Sequence, residues 1–165
     1  MNPETQVRAG HLCATHRNVL INLLREEPTL ESLAEGRRAG DRLEAEFGPR
    51  IGVLTIVWSG MGLPSDEVRR QAAEDMRNAA ERTVVTGTVI PGTGFRTSAF
   101  RTAYATLTLF SRSATPNKVF GDLREGVDFV AAHLDHEEGF AAELHDVVAG
   151  HIAELERLRG NDPAG

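Results

Sequence analysis

Two valine-rich runs set the terms for this chain: Gly52 to Ser59 (GVLTIVWS) and Thr83 to Ile90 (TVVTGTVI) are nearly unbroken in apolar or β-branched residues. A strand covered on both faces reads this way, whereas a strand with one wet face alternates. Between them, Ser65 to Arg82 carries a helical pattern. A strand returned by a helix lies parallel to its neighbour, with a right-handed crossover as the default. The expected fold class is therefore α/β, built on parallel βαβ units covered by helices.

The flanking segments complete a single small mixed sheet. Gly10 to Thr15 and Val19 to Leu24 predict a hairpin across His16, Arg17 and Asn18, the second run interior and the first suited to an edge. Thr29 is a candidate N-cap for a helix that ends at Phe47 before Gly48-Pro49. Gly36 and Gly40 interrupt that helix, where small residues let a backbone lie close to a sheet. Ser65 is the next N-cap, and Val68, Ala72, Met76, Ala79 and Ala80 predict a narrow, close-packed stripe behind it. Phe95 to Ser111 reads as a third helix on the spacing of Phe95, Ala99, Ala103, Leu107 and Phe110, with Phe100 and Tyr104 on a neighbouring flank. Lys118 to Gly121 is a short last strand, and Asp122 caps a helix bearing Val127, Val130 and Leu134.

A domain complete over residues 1–134 is expected, with residues 135–165 as an appendage. Asp135 and Glu138 have capping-box spacing, and Phe140 to Leu158 carries an apolar stripe, together an amphipathic helix of about 24 residues followed by a short tail. Such a helix suits self-association, so a homo-oligomer is expected.

Composition narrows the use. With 41% hydrophobic and 25% charged residues the chain is ordinary globular material, without a case for disorder. A net charge of -6 disfavours nucleic acid and anionic membranes as partners, because both need a basic footprint. One cysteine, Cys13, excludes an internal disulfide and a cysteine-based zinc site, and it reads as a small hydrophobe. No secretory leader pattern opens the sequence, and no apolar segment approaches the roughly 20 residues that span a bilayer, so a cytoplasmic protein is expected.

Chemistry is sparse. Ligands of open α/β sheets gather at the carboxyl ends of parallel strands, which points to the loops Ser59 to Ser65, Pro91 to Gly94 and, if Lys118 to Phe120 is parallel too, Gly121 to Asp122. Ser59 and Ser65 are the hydroxyls placed for partner docking or phosphate acceptance, although Ser59 has no G-x-S-x-G elbow and capping alone explains Ser65. Gly92, Thr93 and Gly94 ahead of a helix could hold an anion on backbone N–H groups, aided by Arg96 and Arg101, or could simply be a glycine turn. The loop is no Walker sequence, since Phe95 and Arg96 follow Gly94. His133 with His136 or Glu137 shares a helix face, but the pattern lacks the partners of a metal site, and His145 and His151 do not share one. No catalytic residue, metal or cofactor is expected.

The order strand, strand, helix, strand, helix, strand, helix, strand, helix resembles the STAS domains, the group of anti-sigma-factor antagonists and SpoIIAA-like proteins, over residues 7 to 134. In phosphorylated STAS proteins an Asp-Ser-Ser/Thr-Gly pattern follows the central strand, whereas this chain reads Trp58-Ser59-Gly60-Met61-Gly62. Only the Ser-Gly pair matches. The resemblance implies a small cytoplasmic, non-enzymatic regulatory module that docks on a protein or holds a small ligand. The alternative is an enzyme or binder of a small anionic ligand at the Pro91 to Gly94 loop.

Overall fold

The structure, a computed structural model, describes residues 6–8, 10–58, 60, 64–109 and 115–160. Eleven elements alternate along it. Strands β1 (Gln6–Arg8), β2 (His11–His16) and β3 (Val19–Leu24) come first, then α1 (Leu30–Phe47), β4 (Ile51–Val57), α2 (Asp66–Asn78), β5 (Thr83–Val89), α3 (Phe95–Leu109), β6 (Asn117–Phe120), α4 (Leu123–Ala131) and α5 (Phe140–Gly160). The sheet runs β1-β2-β3-β4-β5-β6, antiparallel among the first three strands and parallel from β3 onward. The α/β class with a mixed sheet is therefore the fold. The two valine-rich runs lie side by side and parallel, as β4 and β5.

Local chemistry places the helix starts. Thr29 caps α1 in a reciprocal box with Ser32, each side chain accepting from the other residue's backbone N–H. Ser65 accepts from Val68 N at the start of α2, and Asp122 from Glu125 N at the start of α4.

Two layers of helix cover the sheet. On one face α4 and α5 enclose the main core, in which Leu12, Ile21, Leu54 and Val85 meet Val127, Val130, Leu144 and Val148. The contact with α4 is close because two glycines meet there. A methyl group at Gly126 would sit 2.3 Å from Val89, and one at Gly87 would sit 2.7 Å from Val130. On the other face α1 packs on β2 and β3 around Cys13, Leu20, Ala39, Leu43 and Ile51. Next to it, α3 sets Phe100 and Tyr104 over Val57 and Ile90.

Several expectations change. The first strand of the hairpin is not the edge, because β1 pairs outside it; three residues are too few to show a period. α5 is no appendage to a finished domain. Its Phe140, Leu144, Val148 and Leu155 belong to the same core as Leu12, Ala14 and Ile21, so the stripe assigned to self-association is buried against the chain's own sheet. Asp135 does not cap it either; α5 begins at Phe140, and the Asp135 carboxylate pairs with Arg50 at 2.8 Å. On α3 the inward face is Thr97, Phe100 and Tyr104, while Phe95 is 88% exposed and Ala99 and Ala103 face solvent. The glycines of α1 make no approach to the sheet: an added methyl at Gly36 meets nothing within 4 Å, and Gly40 makes room for the Arg82 guanidinium. Finally, α2 ends at Asn78 and buries only Val68; its Ala72 and Met76, and Ala79 and Ala80 just past it, are half-buried rather than close-packed.

Candidate functional site

That loose seating of α2 opens a cavity of about 760 Å³ between the helix and the sheet, walled by α1 on one side and α3 on the other. Pockets of about 300–1,000 Å³ take drug-sized molecules. Its walls are mostly apolar, from Leu20, Leu24, Val53, Val68, Met76 and Phe100. The floor is different.

Register builds that floor. Asn22 on β3 stands beside Thr55 on β4, and Thr55 beside Thr88 on β5, so three polar side chains form a row across three strands. In the next row Val53 lies beside Thr86, and Thr86 beside Asn117 on β6. All five polar residues line the cavity. Residues two apart on a strand share a face, which is why Thr86 and Thr88 both point in. Thr88 is 2% exposed, and Asn117 Oδ1 is buried without a hydrogen-bond partner among the described residues. Tyr104 also lines the space, and burial raises its phenol above the ordinary range, keeping it neutral.

The roof is tied down by charge. Arg37 of α1 donates to both carboxylate oxygens of Asp75 on α2, at 3.1 and 2.9 Å, and Gln71 Nε2 donates to the same group at 3.0 Å. Just past α2, Arg82 reaches back to Asp41 and Glu44 of α1. Helix α2 thus leans on α1 through ion pairs and stands clear of the sheet. Each such surface pair contributes about 0–1 kcal/mol, so the roof is held less firmly than α4 on its glycine seat.

The residues singled out in the sequence fall around this site unevenly. Ser59 lies outside the described residues. Ser65 is used as the N-cap of α2, and its neighbours Pro64 and Asp66 line the cavity mouth. Gly92 and Gly94 have φ of 116° and 99°, a backbone region that only glycine enters freely, so the loop needs both for its turn. Thr93 and Arg96 are exposed there. Arg101 faces no open anion site: its Nη2 donates to Ile90 O at 2.9 Å and Gly92 O at 3.1 Å, holding the exit of β5. His133, just past α4, bonds that helix at Phe129 O, whereas His136 bonds Asn18. Among the described residues no group of three or more His, Cys, Asp or Glu could hold a metal ion. Cys13 is buried and its thiol is pushed up to about 11 by desolvation, which leaves it unreactive.

A second polar cluster lies where the β2–β3 turn meets α5 and the residues before it. His16 and Arg17 of the β2–β3 turn meet Glu137 and Glu143, with Arg17 Nη1 2.7 Å from Glu137 and Nη2 2.8 Å from Glu143. The Phe140 ring lies 3.9 Å from the His136 ring, centroid to centroid, and 5.4 Å below the Arg17 guanidinium. This cluster fastens the turn to α5, and every charged member already has a partner.

The polar floor was the feature missed in the sequence, although a signal existed. Asn22, Thr55, Thr86 and Thr88 interrupt strands that otherwise read as fully apolar. Only the register shows that the interruptions coincide on one face.

A comparison of the chain with protein-family models, with curated proteins and with solved structures finds no match. Among the described residues no helix is long and apolar enough to cross a membrane.

Proposed function

We propose that this chain is a non-enzymatic regulatory module that holds one small, largely apolar molecule beneath α2 and presents the filled state to a protein partner. The observation that carries the reading is the cavity itself, apolar in its walls with a few convergent polar groups below. Hydroxyl and amide groups on strands orient a ligand. The docking surface in this reading is the Ser59 to Ser65 loop with α2, because Pro64, Asp66 and Val68 border the cavity and would shift with its contents. A STAS-like regulator, in which a loop after the central strand meets the partner, works in the same place.

Titration with Nile red, an uncharged dye that brightens in apolar surroundings, tests the reading. Wild-type protein should bind it saturably, and hydrogen exchange of the α2 amides should slow on binding. Gly36→Phe should remove the binding, since Gly36 lines the cavity with open space before it. Absence of saturable binding to the wild type, or undiminished binding by a folded Gly36→Phe protein, defeats the proposal.

A further inference from the structure

The cavity's polar floor specifies more than apolar contents. We infer that its ligand is an uncharged amphiphile whose alcohol hydroxyl sits between Asn117 and Thr86 while its apolar body lies against the side chains below α2. This rests on the reading of the cavity as a ligand site. Three observations converge on it. First, the floor along β3 to β6 is neutral: Asn22, Thr55, Thr86, Thr88 and Asn117 carry no charge, and Tyr104 is held neutral by burial, while His11 of β2, which also lines the cavity, faces Glu35 at 3.8 Å. Secondly, three of the five guanidinium groups that line the cavity are matched, Arg37 with Asp75, Arg69 with Asp66 and Arg82 with Asp41 and Glu44, and the other two, Arg70 and Arg77 of α2, are exposed to solvent. A carboxylate or ammonium group carried to the floor would lose its hydration with no opposite charge to meet it.

The third observation fixes the functional group. Asn117 Oδ1 is a buried acceptor lacking a partner, and an unmet buried acceptor is costly enough that a ligand donor reaching it is strongly favoured. Thr86 stands directly across from Asn117 in the β5–β6 register and offers a hydroxyl that can donate. A ligand alcohol donates to the first and accepts from the second. An ether can only accept, and a hydrocarbon can do neither.

Displacement of Nile red separates the possibilities, using decan-1-ol, decyl methyl ether, decanoate and decylammonium below their aggregation limits. Decan-1-ol should displace the dye at about tenfold lower concentration than the ether, a factor appropriate to one buried hydrogen bond, with both ions weaker still. Asn117→Leu should erase the preference for the alcohol over the ether, each competitor being referred to that variant's own Nile red affinity. Should Asn117→Leu fail to fold, Asn117→Ala provides the same reading at the same position, whereas Thr86→Val removes a donor from which alcohol and ether both accept and should weaken the two alike. If Nile red binds but the alcohol and ether compete equally, if an ion competes best, or if a folded Asn117 variant keeps the wild-type preference, the hydroxyl assignment is wrong and the cavity reading stands. If neither the dye nor any of the four binds, both fall together.

Discussion

Glycine plays three opposite roles here, set by what surrounds each position. Gly126 is where α4 touches β5, and an added methyl would strike Val89 at 2.3 Å, a branched side chain with nowhere to move. Gly126→Ala should therefore destabilise the protein by about 1–3 kcal/mol, read from urea unfolding. Gly36 lies inside a helix over open space, so Gly36→Ala should stabilise by up to about 1 kcal/mol through helix propensity alone. Gly92 and Gly94 answer to neither rule, because their φ values exclude a side chain regardless of space. A residue-scale pH effect belongs to His136, whose pKa is lowered by burial and by Arg17, with His16 adding to the effect while Glu137 and Glu143 oppose it. The unfolded chain then takes up this proton before the folded one does. Stability from His136 is present above the ordinary histidine range and is lost as pH falls through it. Thermal midpoints measured from about pH 8 to about pH 5 should drop less for His136→Gln than for the wild type.

Between the helices, the contrast is one of what holds each in place. α5 supplies fully buried Leu144 and Val148 to the main core, so Leu144→Ala should cost about 2–5 kcal/mol. Removal of residues 135–165 should abolish cooperative unfolding rather than merely convert an oligomer to a monomer, as circular dichroism during thermal denaturation would show. α2 depends instead on the Arg37–Asp75 pair and on Val68. Asp75→Asn should change global stability by less than about 1 kcal/mol, yet speed hydrogen exchange across Asp66–Asn78. A helix seated by surface charge opens at lower cost than one seated in a core, and that places the movable part of the molecule directly above the cavity.

Seen whole, the molecule has a dense side and a hollow one. A ligand that fills the hollow stabilises the native state by mass action, about 2.7 kcal/mol at a hundred times its dissociation constant, so decan-1-ol should raise the unfolding midpoint of the wild type and not of Gly36→Phe. Much of the architecture was readable beforehand. The β-branched runs of β4 and β5 required burial on both faces, Thr29, Ser65 and Asp122 marked helix starts, and the helix between two such runs required parallel pairing. These follow from short-range sterics and hydrogen bonding, which act between residues close in sequence and so leave their mark on it. The seat of α5, the true inward face of α3 and the hollow beneath α2 left no such mark. An apolar stripe states that a helix must be covered but not by what, and Thr86 and Asn117 are neighbours only because two strands 31 residues apart align in that register. Packing between distant segments decides those matters, and it is settled by the volume and shape of side chains that meet only once the chain has folded.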